Sequence, residues 1–223
     1  MVGEFSRSLR VERAQVFEMF DSIRTNGATG LGKLYGKSGV FEKVAGKVWS
    51  FGLADADQLF YAENIQGCIT ANLKGEEQQN YRVVDTEVGR IMADVDRKIG
   101  SFHGSFFMVS SILIPSVDRA NTAVFKYEVH REMAVAALAL HRFQRKHGYY
   151  PDDLRVLVPT FLEQEPVDWM DGMGLRYVRR PDDEYDLWSV GPDGVDNGGK
   201  RDDILWYRYA DRTNAMGKAS HRP

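Results

Sequence analysis

The stretch that decides the fold is Tyr185–Trp206, YDLWSVGPDGVDNGGKRDDILW. Two short apolar-alternating runs, Tyr185–Val190 and Ile204–Tyr207, stand on either side of a loop of glycine and aspartate. Aromatic and branched residues recurring at period two predict strands for both runs. The loop between them suits neither helix nor strand. Gly191, Gly194, Gly198 and Gly199 admit sharp reversals, and Pro192 withholds an amide donor. Four carboxylates, Asp193, Asp196, Asp202 and Asp203, crowd into it. Such crowding costs Coulomb energy unless water, a neighbouring cation or a bound metal screens it. Lys200 and Arg201 could do part of that work. A hard cation would do it better, because calcium takes roughly six to eight oxygens from carboxylates, carbonyls and water in flexible geometry. The spacing is not that of an EF-hand, which needs a D-x-[DN]-x-[DN]-G run and a closing Glu. By composition alone, loops of this kind are more often solvated turns than ion sites.

Working outward, Leu175–Val178, Tyr185–Val190 and Ile204–Tyr209 read as three short strands. Pro181-Asp182-Asp183 supplies the first turn and the Asp/Gly loop the second. A three-stranded meander is marginal alone and needs a helix across its apolar face. Val117–His147 provides one, rich in Met133, Ala134, Ala136, Ala137, Leu138, Leu140 and Phe143 and stopped by Gly148. Arg142, Arg145, Lys146 and His147 suit the negative end of its dipole. Dipole compensation accounts for that basic cluster, which counts against reading it as a nucleic-acid contact. His130, His141 and His147 are too scattered for a metal triad. Between helix and sheet, Asp152–Val158 reads as a short helix bearing Leu154 and Leu157, and Pro159 and Pro166 frame an irregular crossing.

The N-terminal half is mainly helical. Arg10–Arg24 places Val11, Ala14, Phe17, Phe20 and Ile23 three or four apart. Asp55 is a good N-cap for a helix through Asn72 with Leu59, Phe60, Ile65 and Ile69 as its apolar face, ended by Gly75-Glu76-Glu77. Asn80–Ile99 carries Val84, Val88, Ile91 and Val95. Its acids (Asp85, Glu87, Asp94, Asp96) alternate with Arg90, Arg97 and Lys98 and read as a solvated face. Gly27–Lys33 matches GxxxxGK, but a helix precedes it and Leu34 follows. A phosphate-binding loop needs a preceding strand and a following Ser or Thr, so a surface loop is the better account.

The expected fold class is α+β: a long helix packed on a small antiparallel three-stranded sheet, preceded by a mainly helical region. Residues 1–115, 116–212 and a polar tail, 213–223, are the expected divisions. A chain of 223 residues with 43% hydrophobic content can bury a real core. A net charge of −3 gives no general case for nucleic acid. The single cysteine, Cys68, excludes an internal disulfide and a cysteine-ligated zinc site. No apolar run approaches the ~18 residues of a membrane span.

From Ala134 onward the chain resembles the soluble domain of the major pseudopilin of type II secretion systems. The matching residues run from Leu138-Ala139-Leu140 to Gly148-Tyr149-Tyr150-Pro151, then Leu154 and Leu157-Val158-Pro159. Pro166, Asp168, Gly172 and Leu175-Arg176-Tyr177 follow, and Tyr185–Gly194 with Asp203-Ile204 completes the series. The resemblance covers somewhat under half the chain. It implies a structural calcium ion held by the carbonyl of Val190 and the carboxylates of Asp193, Asp202 and Asp203, with Asp196 as an additional or substitute ligand. In the family this ion fixes the loop and supports subunit contacts in a fibre. The chain departs from the family in lacking the leader and the long apolar helix with which pseudopilins open. The module is therefore either fused to another envelope domain or separated from an upstream anchor.

These readings together lead us to expect a non-enzymatic, periplasmic or cell-envelope protein. Its calcium-stabilised module would mediate self-assembly or docking of protein partners, with no nucleic acid. Two alternatives stand beside this expectation. One is a metal-dependent hydrolase using the Asp-rich loop with His141 or His147 as base. The other is a ligand-binding role for the N-terminal half through Gly27–Lys33.

Overall fold

The computed structural model describes residues 2–26, 52–101, 107, 109–181 and 184–206. The Gly27–Lys33 motif, the turn residues Asp182 and Asp183, the end of the last expected strand and the polar tail lie outside them. Among the described residues the fold is mixed α+β, with four α-helices and small antiparallel sheets. Among the described residues, no helix is long and apolar enough to cross a membrane. The chain divides into two compact units, Met1–Gln78 with Arg82–Val124, and Gln79–Tyr81 with Phe125–Pro223.

The first unit is helical. Helix α1 (Val2–Asn26) runs antiparallel to α2 (Ala54–Glu77). Ser6 donates to Glu76, Arg13 to Gln66, and Arg24 ion-pairs with Asp55 at 2.7 Å. The buried stripe of α1 is Leu9, Val16, Phe20 and Ile23. Val11, expected inside, is 58% exposed, because a face centred on Phe20 and Ile23 turns it outward. On α2 the buried positions include Phe60, Tyr61, Ile65, Cys68, Ile69 and Asn72, while Leu59 stands 61% exposed. Asp55 is not the N-cap: the helix begins at Ala54, and Asp55 sits in its first turn. Nor does Gly75 end the helix. Packing against α1 buries Gly75 and carries α2 on to Glu77, outweighing the low helix propensity of glycine.

Helix α3 (Tyr81–Ile99) buries Val84, Val88 and Val95. It approaches α2 closely at Gly67, where a Cβ would lie 2.8 Å from Ile91 Cδ1. Its acids form the expected solvated face, with Arg97 pairing Asp94 at 2.8 Å and Arg90 pairing Glu87 at 3.2 Å. Helix α4 spans Ser110–His147 and runs through Pro115, which had been expected to precede it. Pro115 lies early in the helix, so its missing N–H removes one bond near the end of the ladder and does not break the interior.

What starts α4 so early is Asp57. This fully buried carboxylate on α2 accepts from the amides of Val109 (2.8 Å) and Ser110 (3.2 Å) and from the Ser110 hydroxyl (2.5 Å). It satisfies otherwise orphaned N–H groups and puts negative charge at the positive end of the helix dipole. A second buried polar contact ties α2 to α4, as Asn72 Nδ2 donates to Asn121 Oδ1 at 3.0 Å. Between them Cys68 is fully buried; burial, then the charge of Asp118, pushes its thiol up to about 12, leaving it unreactive.

In the second unit, the later turns of α4 bury Phe125, Val129, Met133, Ala136, Ala137, Leu140 and Phe143 at helical spacing. Gly148 closes the helix at φ +85, its amide donating to the Gln144 carbonyl at 2.7 Å. A short 3-10 helix, Leu154–Leu157, follows, capped by Asp153 accepting from the Arg155 amide at 2.8 Å. Within the expected irregular crossing the chain forms a two-stranded ribbon, β1 (Val167–Asp168) with β2 (Met173–Gly174). Then comes the expected meander, β3 (Arg176–Arg179), β4 (Tyr185–Ser189) and β5 (Ile204–Leu205), with β4 central.

Alternation along β4 places Tyr185, Leu187 and Ser189 on one face and Asp186 and Trp188 on the other. The first face carries an aromatic cluster. The Tyr185 ring lies 4.9 Å from Tyr150, 5.9 Å from Tyr177 and 6.2 Å from His141 of α4.

Candidate functional site: the acidic loop over Trp188

The second face of β4 is covered by the loop itself. Residues 190–203 fold back so that Gly199 lies against the Trp188 ring, where a Cβ would sit 3.6 Å away. The indole N–H of Trp188 donates to Asp196 Oδ1 at 2.9 Å. Asp196 also accepts from the Gly198 amide at 2.9 Å. That indole bond, then the Gly198 amide, holds the Asp196 carboxyl below the usual carboxylate range.

Asp203 is the inward acid of the loop. It is buried, and its Oδ2 accepts from the amides of Gly199 (2.8 Å), Asn197 (3.0 Å) and Lys200 (3.3 Å). Asp193 is exposed and accepts from the Val195 amide at 3.2 Å. Asp202 is also exposed, with no hydrogen bond or ion pair for its carboxylate among the described residues. Its carbonyl instead comes so close to Gly191 that a Cβ there would lie 2.1 Å from the oxygen. Gly191 also has φ +72, so this root of the loop admits glycine alone. Gly191→Ala should lower the stability of the second unit by about 2–3 kcal/mol, combining positive-φ strain with overpacking. A urea melt unchanged from wild type would contradict this close approach.

That same root is also held by a residue outside the expected ligand set. Asp168 of β1 is fully buried. It accepts from the amides of Met170 (3.0 Å) and Val190 (3.0 Å) and from the Ser189 hydroxyl (2.7 Å). Burial raises its pKa, against the pull of the Ser189, Met170 and Val190 bonds. The sequence does hold a signal for it: an acid between Val167 and Trp169, and a lone hydroxyl, Ser189, in an apolar strand.

Arg176 of β3 is the main cation here, pairing with Asp171 at 2.5 Å and Asp168 at 3.1 Å and reaching Asp196 at 3.7 Å. The two cations nearest in sequence, Lys200 and Arg201, are exposed, and neither ion-pairs with the loop acids among the described residues. Neighbouring strands bring in Arg176 where sequence proximity pointed to Lys200.

The loop thus offers only hard oxygen donors, the chemistry calcium takes. Asp193, Asp202 and Asp203 lie on one loop that starts from Val190. Among the described residues, though, no three acidic, histidine or cysteine side chains are gathered as a ready ligand set. Asp203 is instead satisfied by backbone amides, and the exposed Asp196 by Trp188, the Gly198 amide and Arg176. His141 and His147 lie among aromatic rings. His141 Nδ1 is 3.0 Å from the Tyr150 hydroxyl, and His147 stacks on Phe143 with ring centroids 4.3 Å apart. No protein-family model, curated protein or solved structure matches this chain.

Proposed function

We propose that this is a non-enzymatic protein of the periplasm or cell envelope whose second unit docks protein partners or copies of itself, with calcium bracing its acidic loop. The observation that carries the reading is the loop between β4 and β5. It is rooted at Gly191, folded over Trp188, and carries two exposed carboxylates that pair with no cation among the described residues, Asp193 and Asp202, beside the inward Asp203. With the Val190 carbonyl these are the donors that would hold the ion, and Asp196 would be the additional one. Bound calcium would add a fixed double positive charge beside the amide donors that serve Asp203. Loop closure by the protein's own hydrogen bonds means that the ion would tighten a loop already formed.

A ligand that binds only the native state stabilises it by RT ln(1 + [L]/Kd), about 2.7 kcal/mol at a hundredfold excess over Kd. For a unit of about 100 residues that is a rise in Tm of roughly 10–20 °C. Thermal melts in calcium and in chelator should separate by this amount, and magnesium should give a smaller shift because it demands stricter octahedral geometry. Superimposed melts, with no calcium in the purified protein, would remove the ion from the proposal.

A further inference from the structure

We propose that the exposed cations at the C-terminal end of α4 form a docking patch for an acidic protein segment. This rests on the docking reading above and is independent of calcium. Arg142, Arg145 and Lys146 are all exposed, and none ion-pairs with a carboxylate among the described residues. Sequence reading assigns them to the helix dipole, and Phe143, the aromatic that lies among them, is buried. The fold supplies aromatics from elsewhere in the chain. Arg142 and Lys146 both lie over the Phe161 ring, at 5.9 and 5.6 Å from its centroid. Arg179 of β3 lies over Tyr149 at 5.4 Å, and His147 stacks on Phe143. Arg142 and Lys146 are thus held over a ring, beyond any service to the helix end.

Three features define the partner. Charges held against a ring lose less rotamer freedom on binding, so the patch is pre-organised for anions. The Phe161 and Tyr149 rings each carry a cation over the ring, which competes with base stacking there. The negative pole of α4 opposes dense phosphate, whereas separate carboxylates can meet each guanidinium bidentately. Local acids do not occupy the patch. Asp152 is taken by Arg179 at 3.1 Å and Asp153 by Arg155 at 2.5 Å, and Glu163 and Glu165 form no ion pair with the three cations. Glu or Asp side chains on an extended protein segment fit this arrangement.

The test uses the full chain and a fluorescent oligo-glutamate peptide at low ionic strength. Arg142→Gln/Lys146→Gln should weaken peptide binding about tenfold, as expected for losing two charge-assisted contacts. Arg119→Gln/Lys126→Gln, removing two exposed cations elsewhere, should leave it unchanged. An oligonucleotide and anionic-lipid vesicles should bind more weakly than the peptide. If the double variant does not fold, Arg145→Gln, which lies over no ring among the described residues, should still weaken binding about threefold. Equal loss from patch and control variants would overturn the proposal. So would absence of peptide binding by wild type, or tighter binding of oligonucleotide or vesicles than of peptide. Any of these would leave calcium-dependent melting, and with it the reading of the loop, untouched.

Discussion

Asp168→Ala is expected to lower the stability of the second unit by about 4 kcal/mol, because it strands several polar groups at once. The carboxylate collects the Met170 and Val190 amides and the Ser189 hydroxyl and faces Arg176 at 3.1 Å. Alanine would leave those donors buried without an acceptor and the guanidinium with one counter-charge fewer. The same change frees the start of the acidic loop, since Val190 is the residue from which the loop departs. Urea unfolding followed by Trp fluorescence should show the lowered midpoint. Loop amides of residues 197–200 should also lose hydrogen-exchange protection before global unfolding. A shift below about 1 kcal/mol would mean that Asp168 does not hold the loop root. The pH dependence has a definite sign. Burial raises the folded-state pKa of this carboxyl above its unfolded value. The pH-dependent part of its contribution is therefore fully present below the unfolded value and is lost as pH rises through the folded one, while its bonds to the loop root remain. Mild acidification should not unfold the unit through this residue.

Asp57→Ala is the matching experiment in the first unit, with an expected loss of about 3 kcal/mol. Asp57 serves the Val109 amide and both the amide and the hydroxyl of Ser110, so its removal uncaps α4 inside the protein. Asn at this position keeps one acceptor and should lose about half as much. Circular dichroism should report fraying confined to the first turns of α4 at temperatures below the main transition. If Asp57→Ala melts like wild type, α4 begins where it does for some other reason, with Pro115 the natural alternative start.

These two carboxylates mark the limit of what the sequence discloses. The three strands were legible because alternation of Tyr185, Leu187 and Ser189 against Asp186 and Trp188 is a local pattern, and local patterns survive folding. So was the stop of α4, since Gly148 adopts the positive φ that a helix end favours. Asp57 and Asp168 have the opposite character. Asp57 looks like a surface acid beside its neighbours, Asp168 is marked only by its apolar flanks, and each acquires partners from residues distant in sequence: Ser110 for one, Ser189 and Val190 for the other. The early start of α4 was hidden for the same reason, because its capping acid lies on another helix. Leu59 and Val11 were read as buried because they are apolar, yet the faces that pack against neighbouring helices turn both outward. Arg176, a strand residue, has no sequence signal marking it as the cation of the acidic cluster. The loop acids themselves were legible as a group, but not how they divide: Asp203 inward to amides, Asp196 to Trp188, Asp193 and Asp202 outward.

Calorimetric titration of calcium into chelator-stripped protein tests the central claim most directly, with wild type beside Asp193→Asn/Asp202→Asn. That pair of changes leaves the amide bonds to Asp203 in place, so the loop keeps its own closure while losing its two outward charges. The account predicts one saturable calcium site in wild type, weakened at least about a hundredfold in the variant, as expected for two lost carboxylate ligands. No saturable heat in wild type, or equal binding by both proteins, would contradict it.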